Sequence, residues 1–341
     1  MLISSKKPIK IIGLNRLKPM KYKFKLSVAI PVYNGAKNLK KQFDRIFKDC
    51  DNNKFNNFLE VVISDNFSTD NTKKVVSRYK KKSLKKKNLS IKYFKNKKNY
   101  GYKKNFIKLS KLVKGEYVLF LSDDDVPGKD FYMKIYNEII HTSKVKMLIL
   151  PIHNSNKYYH AFFGFNKVSY IVNRGGPLSG FILNTKKINY QSYLNTLYPH
   201  VELYLSYFLK YGAKDLHVKS VIKNIDAITG SKHKFNDRMQ RGKDLAFFGK
   251  IQILEKFYKN KKINLIEFSY AIYSIYNWAL AVKLKLNKEN ASEHESMFFS
   301  EIIKYKRKNL LRFIFFLICL RKFFSKDKIF YYNAFIKTLN N

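Results

Sequence analysis

The sequence predicts an α/β fold, a mostly parallel sheet flanked by helices, with an α-helical appendage at its C-terminal end. Three observations predict it. Short apolar runs bounded by turn residues recur as far as "EYVLFL" (116–121), stretches with apolar residues at helical spacing lie between them, and helical periodicity alone continues from Leu245 onward.

Taken in order, "LSVAIP" (26–31) is a short apolar run ending in Pro, which suits a strand buried on both faces. The loop "VYNGA" follows. Leu39, Phe43, Ile46 and Phe47 then recur at helical spacing with Lys and Asp between them, which predicts an amphipathic helix. "FLEVVIS" (58–64) repeats the strand pattern, "DNFSTDN" supplies turn and cap residues, and a polar helix runs into "KKKSLKKK". "LSIKYF" (89–94) predicts a third strand, "YGYKKNFIKLSKLVKG" a third helix with Gly115 as its C-cap, and "EYVLFL" a fourth strand. Strands alternating with helices at this spacing imply parallel pairing with right-handed crossovers. Three segments follow: a basic N-terminal extension over 1–24, the α/β domain over 25–230, and a mobile basic loop with the helical region over 231–341.

The composition bounds the class of protein. A chain of 341 residues with 45% hydrophobic content can build a substantial core. Lys and Arg number 68 against 24 Asp and Glu, a formal charge of +44 spread along the whole chain, and such a surface attracts anions. Cys50 and Cys319 offer neither a disulfide framework nor a zinc-ligand spacing, which fits a reducing cytoplasm. The basic N-terminus lacks the continuous apolar stretch of a secretory signal. The apolar run "LLRFIFFLICL" (310–320) is shorter than the roughly 20 residues needed to span a bilayer and is broken by Arg312.

In open parallel sheets, ligands bind outside the carboxyl ends of the strands. That edge collects Tyr33 and Asn34, Asp65 and Asn66, and then Ser122 to Asp125, where "SDDD" sets three carboxylates in a row in a strongly cationic chain. Adjacent like charges call for a compensating cation, and carboxylate oxygens favour Mg2+ or Mn2+, hard ions that bridge protein to a diphosphate. A solvated turn and helix cap is the plainer use of "DDDVPG", since Asp, Pro and Gly all suit turns.

The ordered pieces "LSVAIPVYNGAKNL", "LEVVISDNFSTDNT" and "NYGYKKNFIKLSKLVKGEYVLFLSDDDV" together resemble the family 2 glycosyltransferases with a GT-A fold, a Rossmann-like architecture. The resemblance is strong over about residues 25 to 130 and faint from 131 to about 230, and is nearest to bacterial transferases that build surface polysaccharides, abequosyltransferase-like members included. It implies transfer of a sugar from a nucleotide donor to a glycan or lipid-linked acceptor hydroxyl, with inversion. Position by position, Pro31, Val32 and Tyr33 match the loop that frames the nucleotide, Asp65 with Asn66 the acidic position that bonds the base, and Asn99 and Gly101 the loop before the third helix, whose N-terminus faces the phosphates. Asp65 also suits an Asx-turn. Family members commonly read Asp-x-Asp-Asp at "SDDD", so Ser122 takes the place of the first Asp. Asp124 becomes the principal metal ligand, Asp123 serves the ribose or the metal, and Asp125 lies nearby.

An inverting displacement needs a base for the acceptor hydroxyl. "LYPHVELYLSYFL" offers Glu202 as first choice and His200 as competitor, both just after Pro199 at a helix start. In "DAITGSKHKFNDRMQRGKD" (226–244), Lys232, His233, Arg238 and Arg241 could neutralise the departing diphosphate from a closing loop. "YKRKNLLRFIFFLICLRKFFSKDK" combines Phe, Leu and Ile with flanking cations, the pattern of an interfacial helix on the inner face of a cytoplasmic membrane, and equally of a buried helix. Two other classes remain. A nucleotidyltransferase also uses metal-bound carboxylates on such a sheet but needs a Gly- and Arg-rich loop where this chain has "PVYNGAKN". A nucleic-acid partner would match the charge, yet no helix-turn-helix, zinc or RNP-like pattern is present, so none is expected.

Overall fold

The computed structural model describes residues 24–51, 58–141, 146–150, 167–174, 178–188, 196, 198–215, 222–224, 245–272 and 274–275. Strands β1 (Phe24–Val32), β2 (Leu59–Asp65), β3 (Leu89–Lys95) and β4 (Gly115–Phe120) alternate with helices α1 (Ala36–Asp51), α2 (Thr72–Ser83) and α3 (Gly101–Leu112). These are the four strands and three helices the pattern predicts. Beyond them come β5 (Asp125–Pro127), α4 (Phe131–His141), β6 (Met147–Ile149), α5 (Lys167–Arg174), β7 (Phe181–Asn184), α6 (Pro199–Tyr211), β8 (Lys214–Asp215), β9 (Ile222–Asn224) and α7 (Leu245–Lys259).

One seven-stranded sheet runs β3-β2-β1-β4-β7-β6-β8, and β5 pairs with β9 in a separate two-stranded ribbon. β1 pairs in parallel with β2 and β4, and β2 with β3, whereas β7 is antiparallel to both β4 and β6. Side chains alternate between two cores because successive Cβ atoms leave opposite faces of a strand. Leu26, Val28 and Ile30 of β1, Val61 and Ile63 of β2, and Tyr117 and Leu119 of β4 join Leu39, Phe43 and Ile46 of α1 and Phe131 and Ile135 of α4. Ala29, Val62, Val118 and Phe120 point the other way, into Phe106 of α3, Ile171 of α5, Val201 and Tyr204 of α6, and Ile251 and Leu254 of α7. Helix α7 and the described residues that follow it, as far as Ile275, thus share a core with the sheet.

Gly115 is not the C-cap of α3. That helix ends at Leu112 with Val113 as its cap, and Gly115 opens β4. A Cβ there would lie 2.6 Å from the Ser27 nitrogen and 2.9 Å from the Leu26 carbonyl carbon, so glycine serves the close approach of β4 to β1. Beneath it, at the amino end of the sheet, buried Glu60 accepts from Ser27 Oγ (2.5 Å), from Lys92 Nζ (2.6 Å) and from the Lys114 backbone N–H.

Candidate active site

At the opposite, carboxyl edge, β1 is the strand from which the order runs both ways, and the loops after β1, β2 and β4 converge there. Pro31 and Val32 end β1, with Val32 in register with Asp65, and the Asn66 N–H donates to the Val32 carbonyl at 2.8 Å. Tyr33 then projects outward, 51% exposed. The next residues lace the β1 loop to the β2 loop. Asn34 adopts φ 54° and accepts from the Thr69 N–H at 2.9 Å, its own N–H donates to Ser68 Oγ, and the Gly35 N–H donates to Thr72 Oγ1 at 3.1 Å. Asp70 completes the rim by accepting from the Ala36 and Thr72 N–H groups, at 3.1 and 2.9 Å, and from Thr72 Oγ1. Burial pushes its carboxyl up, but these hydrogen bonds outweigh that and hold it below the usual carboxylate range.

Asp65 is fully buried. One carboxylate oxygen accepts from the Ser68 N–H at 2.7 Å and the other from the Tyr93 hydroxyl, which burial first, and then that bond, push well above its ordinary value. The Asx-turn use of Asp65 is therefore present, and a base N–H would have to enter an already occupied carboxylate. Asn66 and Asn99 come together: the Asn66 amide donates to Asn99 Oδ1 at 2.6 Å and accepts from the Tyr100 N–H at 3.0 Å. Asn99 Oδ1 also accepts from the Gly101 N–H, which opens α3. Gly101 has φ 76° and nothing within 4 Å of an added Cβ, so backbone conformation, not close approach, calls for glycine there.

The acidic loop leaves β4 beside this rim. The Leu121 N–H still pairs with the Ala29 carbonyl, and Asp125 begins β5. Ser122 donates its hydroxyl to Asp124 Oδ1, so the residue in place of the first aspartate orients a neighbour. Asp123 faces the β1 loop: a Cβ on Gly35 would stand 2.6 Å from its Oδ2. Only glycine leaves that space, and it puts a carboxylate directly between the tips of β1 and β4. Among the described residues no group of three or more His, Cys, Asp or Glu side chains assembles around one point. The arrangement suits a hard cation that takes one or two carboxylates from the protein and its remaining ligands from a diphosphate and water, the usual habit of Mg2+.

The two candidate bases separate. His200 is 3% exposed, shares a 2.9 Å hydrogen bond through Nδ1 with the Tyr102 hydroxyl, and sits edge-on to Tyr102, Phe106, Tyr198 and Tyr204. It therefore lies against the first turn of α3. Glu202, the first choice from sequence, points instead at α7: it is 2% exposed and its Oε1 is ion-paired with Lys256. Its helix position turns it away from His200, and the partner could not be foreseen because Lys256 is 54 residues distant. Lys232, His233, Arg238, Arg241 and residues 305–328 lie outside the described residues.

Three groups escaped the sequence pattern. Gln42, fully buried, donates from Nε2 to the carbonyls of Ser122 and Asp125, both at 2.6 Å. A glutamine inside the apolar stripe of α1, beside Leu39, Phe43 and Ile46, was the available sign. Tyr102 touches His200, although its spacing marked it only as a helical residue. Phe67 holds φ 72° with its ring exposed and the Lys95 ammonium 5.5 Å from the ring centre, an aromatic surface at the tip of β2 that a run of turn residues conceals.

The sheet order, the ligand edge and the acidic loop after β4 define a GT-A fold. Residues 27–181 match the model of the family "Glycosyl transferase family 2", so this segment is a transferase domain of that family. Two curated relatives are similar to the chain. The uncharacterized glycosyltransferase MG060 of Mycoplasma genitalium is 41% identical over 106 residues, 31% of this chain and 34% of that protein. Abequosyltransferase RfbV of Salmonella typhimurium is 26% identical over 209 residues, 54% of this chain and 61% of that protein. The chain thus spans about a third to three-fifths of the length of the relatives it matches. Among solved structures, S. aureus TarS 1-349 superposes with TM-score 0.59 at 16% identity, covering 93% of this chain and 91% of that one. The mannosyltransferase PcManGT from Pyrobaculum calidifontis, in complex with GDP-Man and Mn2+, gives 0.51 at 14% identity over 90% and 89%.

Proposed function

We propose that the protein transfers a sugar, with inversion, from a nucleotide-sugar donor to the hydroxyl of a glycan or lipid-linked acceptor in surface polysaccharide biosynthesis. The observation that carries this reading is the acidic loop Ser122–Asp125 at the carboxyl end of β4, facing the β1 loop through Gly35 within a family 2 transferase domain. Pro31, Val32, Tyr33, Asp65, Asn66, Asn99 and Gly101 frame the nucleotide, with the exposed ring of Phe67 offering the base a face to stack on. Asp124 and Asp125, with Asp123, would hold Mg2+ or Mn2+, whose positive charge would offset that of the diphosphate.

His200 is the better placed base. The Tyr102 hydroxyl holds the ring through Nδ1, and an imidazole so oriented is the residue type best suited to general-base work near neutral pH. Glu202, neutralised by Lys256, acts through the helix it anchors. A lipid-linked acceptor would meet the enzyme at a membrane surface, with residues 305–328 supplying cations and apolar groups. No helix among the described residues is long and apolar enough to cross a membrane.

The test is to incubate the protein with a panel of nucleotide sugars, with Mn2+ or with EDTA, and to measure release of the nucleoside diphosphate. Turnover of at least one donor, lost in EDTA and lowered by about two decades in Asp124→Asn, is expected. Full activity of Asp124→Asn, or full activity in EDTA, would defeat the metal assignment, and inertness toward every donor would defeat the transferase reading.

A further inference from the structure

We propose that Gln42 is a positioning residue that presets the acidic loop for its divalent ion, an inference that rests on the donor-binding reading above. The Gln42 side-chain amide uses both N–H groups on the two carbonyls that bracket Asp123 and Asp124, those of Ser122 and Asp125, each at 2.6 Å. The turn between these carbonyls is closed by the Asp125 N–H, which donates to Ser122 at 3.2 Å. It is anchored at its start by the Ser122 N–H, which donates to Ser179 Oγ at 2.7 Å. Two neighbouring carboxylates repel each other, and a loop free to relax would carry them apart. Gln42 opposes that from a rigid base, because α1 starts just after the β1 tip and packs along β5. Gly35, immediately before this helix, and Gln42, within it, thus both meet the acidic loop.

The reach is particular to glutamine. Asparagine is one methylene shorter, methionine has the length but no donor, and an ionised glutamate would turn an acceptor toward two carbonyls. Losing the clamp removes the side-chain donor from both carbonyls, leaves that of Ser122 only the 3.2 Å bond from the Asp125 N–H, and lets the carboxylates drift. The effect should fall on ion-dependent binding more than on nucleotide binding as such, since the rim formed by the β1 and β2 loops is held by separate bonds.

The experiment titrates UDP, GDP, CDP and dTDP into the full chain by calorimetry, with and without Mn2+, for the wild type, Gln42→Met and, as a control that loosens the core elsewhere, Val76→Ala in α2. The wild type should bind at least one nucleotide more tightly with Mn2+ than without. Gln42→Met should lose about tenfold or more of that gain while its metal-free affinity stays near wild type, and Val76→Ala should keep the gain despite its lower melting temperature. Should Gln42→Met fail to fold, Gln42→Glu, of nearly the same shape, takes its place with the same expected loss. A full Mn2+ gain in the Gln42 variant overturns the inference, as does an equal loss in Val76→Ala. A wild type that binds none of the four nucleotides in either condition overturns the donor-binding reading itself, a different result from a gain that survives the substitution.

Discussion

Gly35→Ala separates the placement of Asp123 from the stability of the fold. An alanine Cβ would stand 2.5 Å from Val32 Cγ2 and 2.6 Å from Asp123 Oδ2, where ordinary contact begins at 3.4 Å. Both groups must therefore retreat by roughly 0.8 Å, and the two respond unequally. Val32 is β-branched with a stiff χ1 inside a buried strand, whereas the Asp123 carboxylate is the far end of a side chain and swings more freely. The overpacking should cost about 1 kcal/mol, the low end for such changes, and lower the melting temperature by about 2–4 °C. On the proposed reading Asp123 serves the ribose or the metal, so function should suffer more, since a shift near 1 Å at a positioning group costs on the order of 100-fold in rate. Initial rates of donor turnover at saturating donor and Mn2+, together with a thermal melt, measure both. A variant with wild-type turnover would refute the placement of Asp123 in the cradle between β1 and β4, and so would a collapse of the fold, which would make Gly35 a core residue and not a site residue.

The remaining predictions concern single groups. His200→Gln should abolish transfer with donor binding intact, whereas Glu202→Gln should lower the melting temperature and be matched by Lys256→Met; a normal melt for Glu202→Gln with transfer abolished would restore Glu202 as the base. Glu60→Ala strands the Lys92 ammonium and two further donors at the amino end of the sheet, so chemical denaturation should show a loss of about 3–5 kcal/mol, and a loss below about 1 kcal/mol would show that water replaces the carboxylate. Asp70 is held below its unfolded value, so its stabilisation is complete at neutral pH and disappears as pH falls through the folded value. The melting-temperature gap between wild type and Asp70→Asn should accordingly be widest above about pH 5 and close as the solution is acidified further. A gap independent of pH would remove the charge from the explanation.

What the sequence determined by itself was the scaffold and which residues stand at its carboxyl edge. Runs such as "LSVAIP" and "LEVVIS" are apolar without alternation because strands covered on both faces have no solvent side, and the repeat of strand and helix dictates parallel pairing. The tips of those strands, Tyr33, Asp65 and the aspartates after β4, follow from the order alone. Local pattern also marked Pro199 as the start of α6. It put Glu202 ahead of His200 without sight of the neighbour that each side chain meets. Glu202 meets Lys256 from a helix far along the chain, and His200 meets Tyr102 from α3. Gly115 misled for the same reason: a glycine after a helix usually caps it, but here the requirement is the backbone of β1 pressing against its Cα. Gln42 was an anomaly on an apolar face until the fold set its amide beneath the acidic loop. Periodicity and turn chemistry act over a few residues and are written in the chain, whereas ion pairs, amide clamps and close approaches join residues tens of positions apart and are settled only when the helices pack on the sheet.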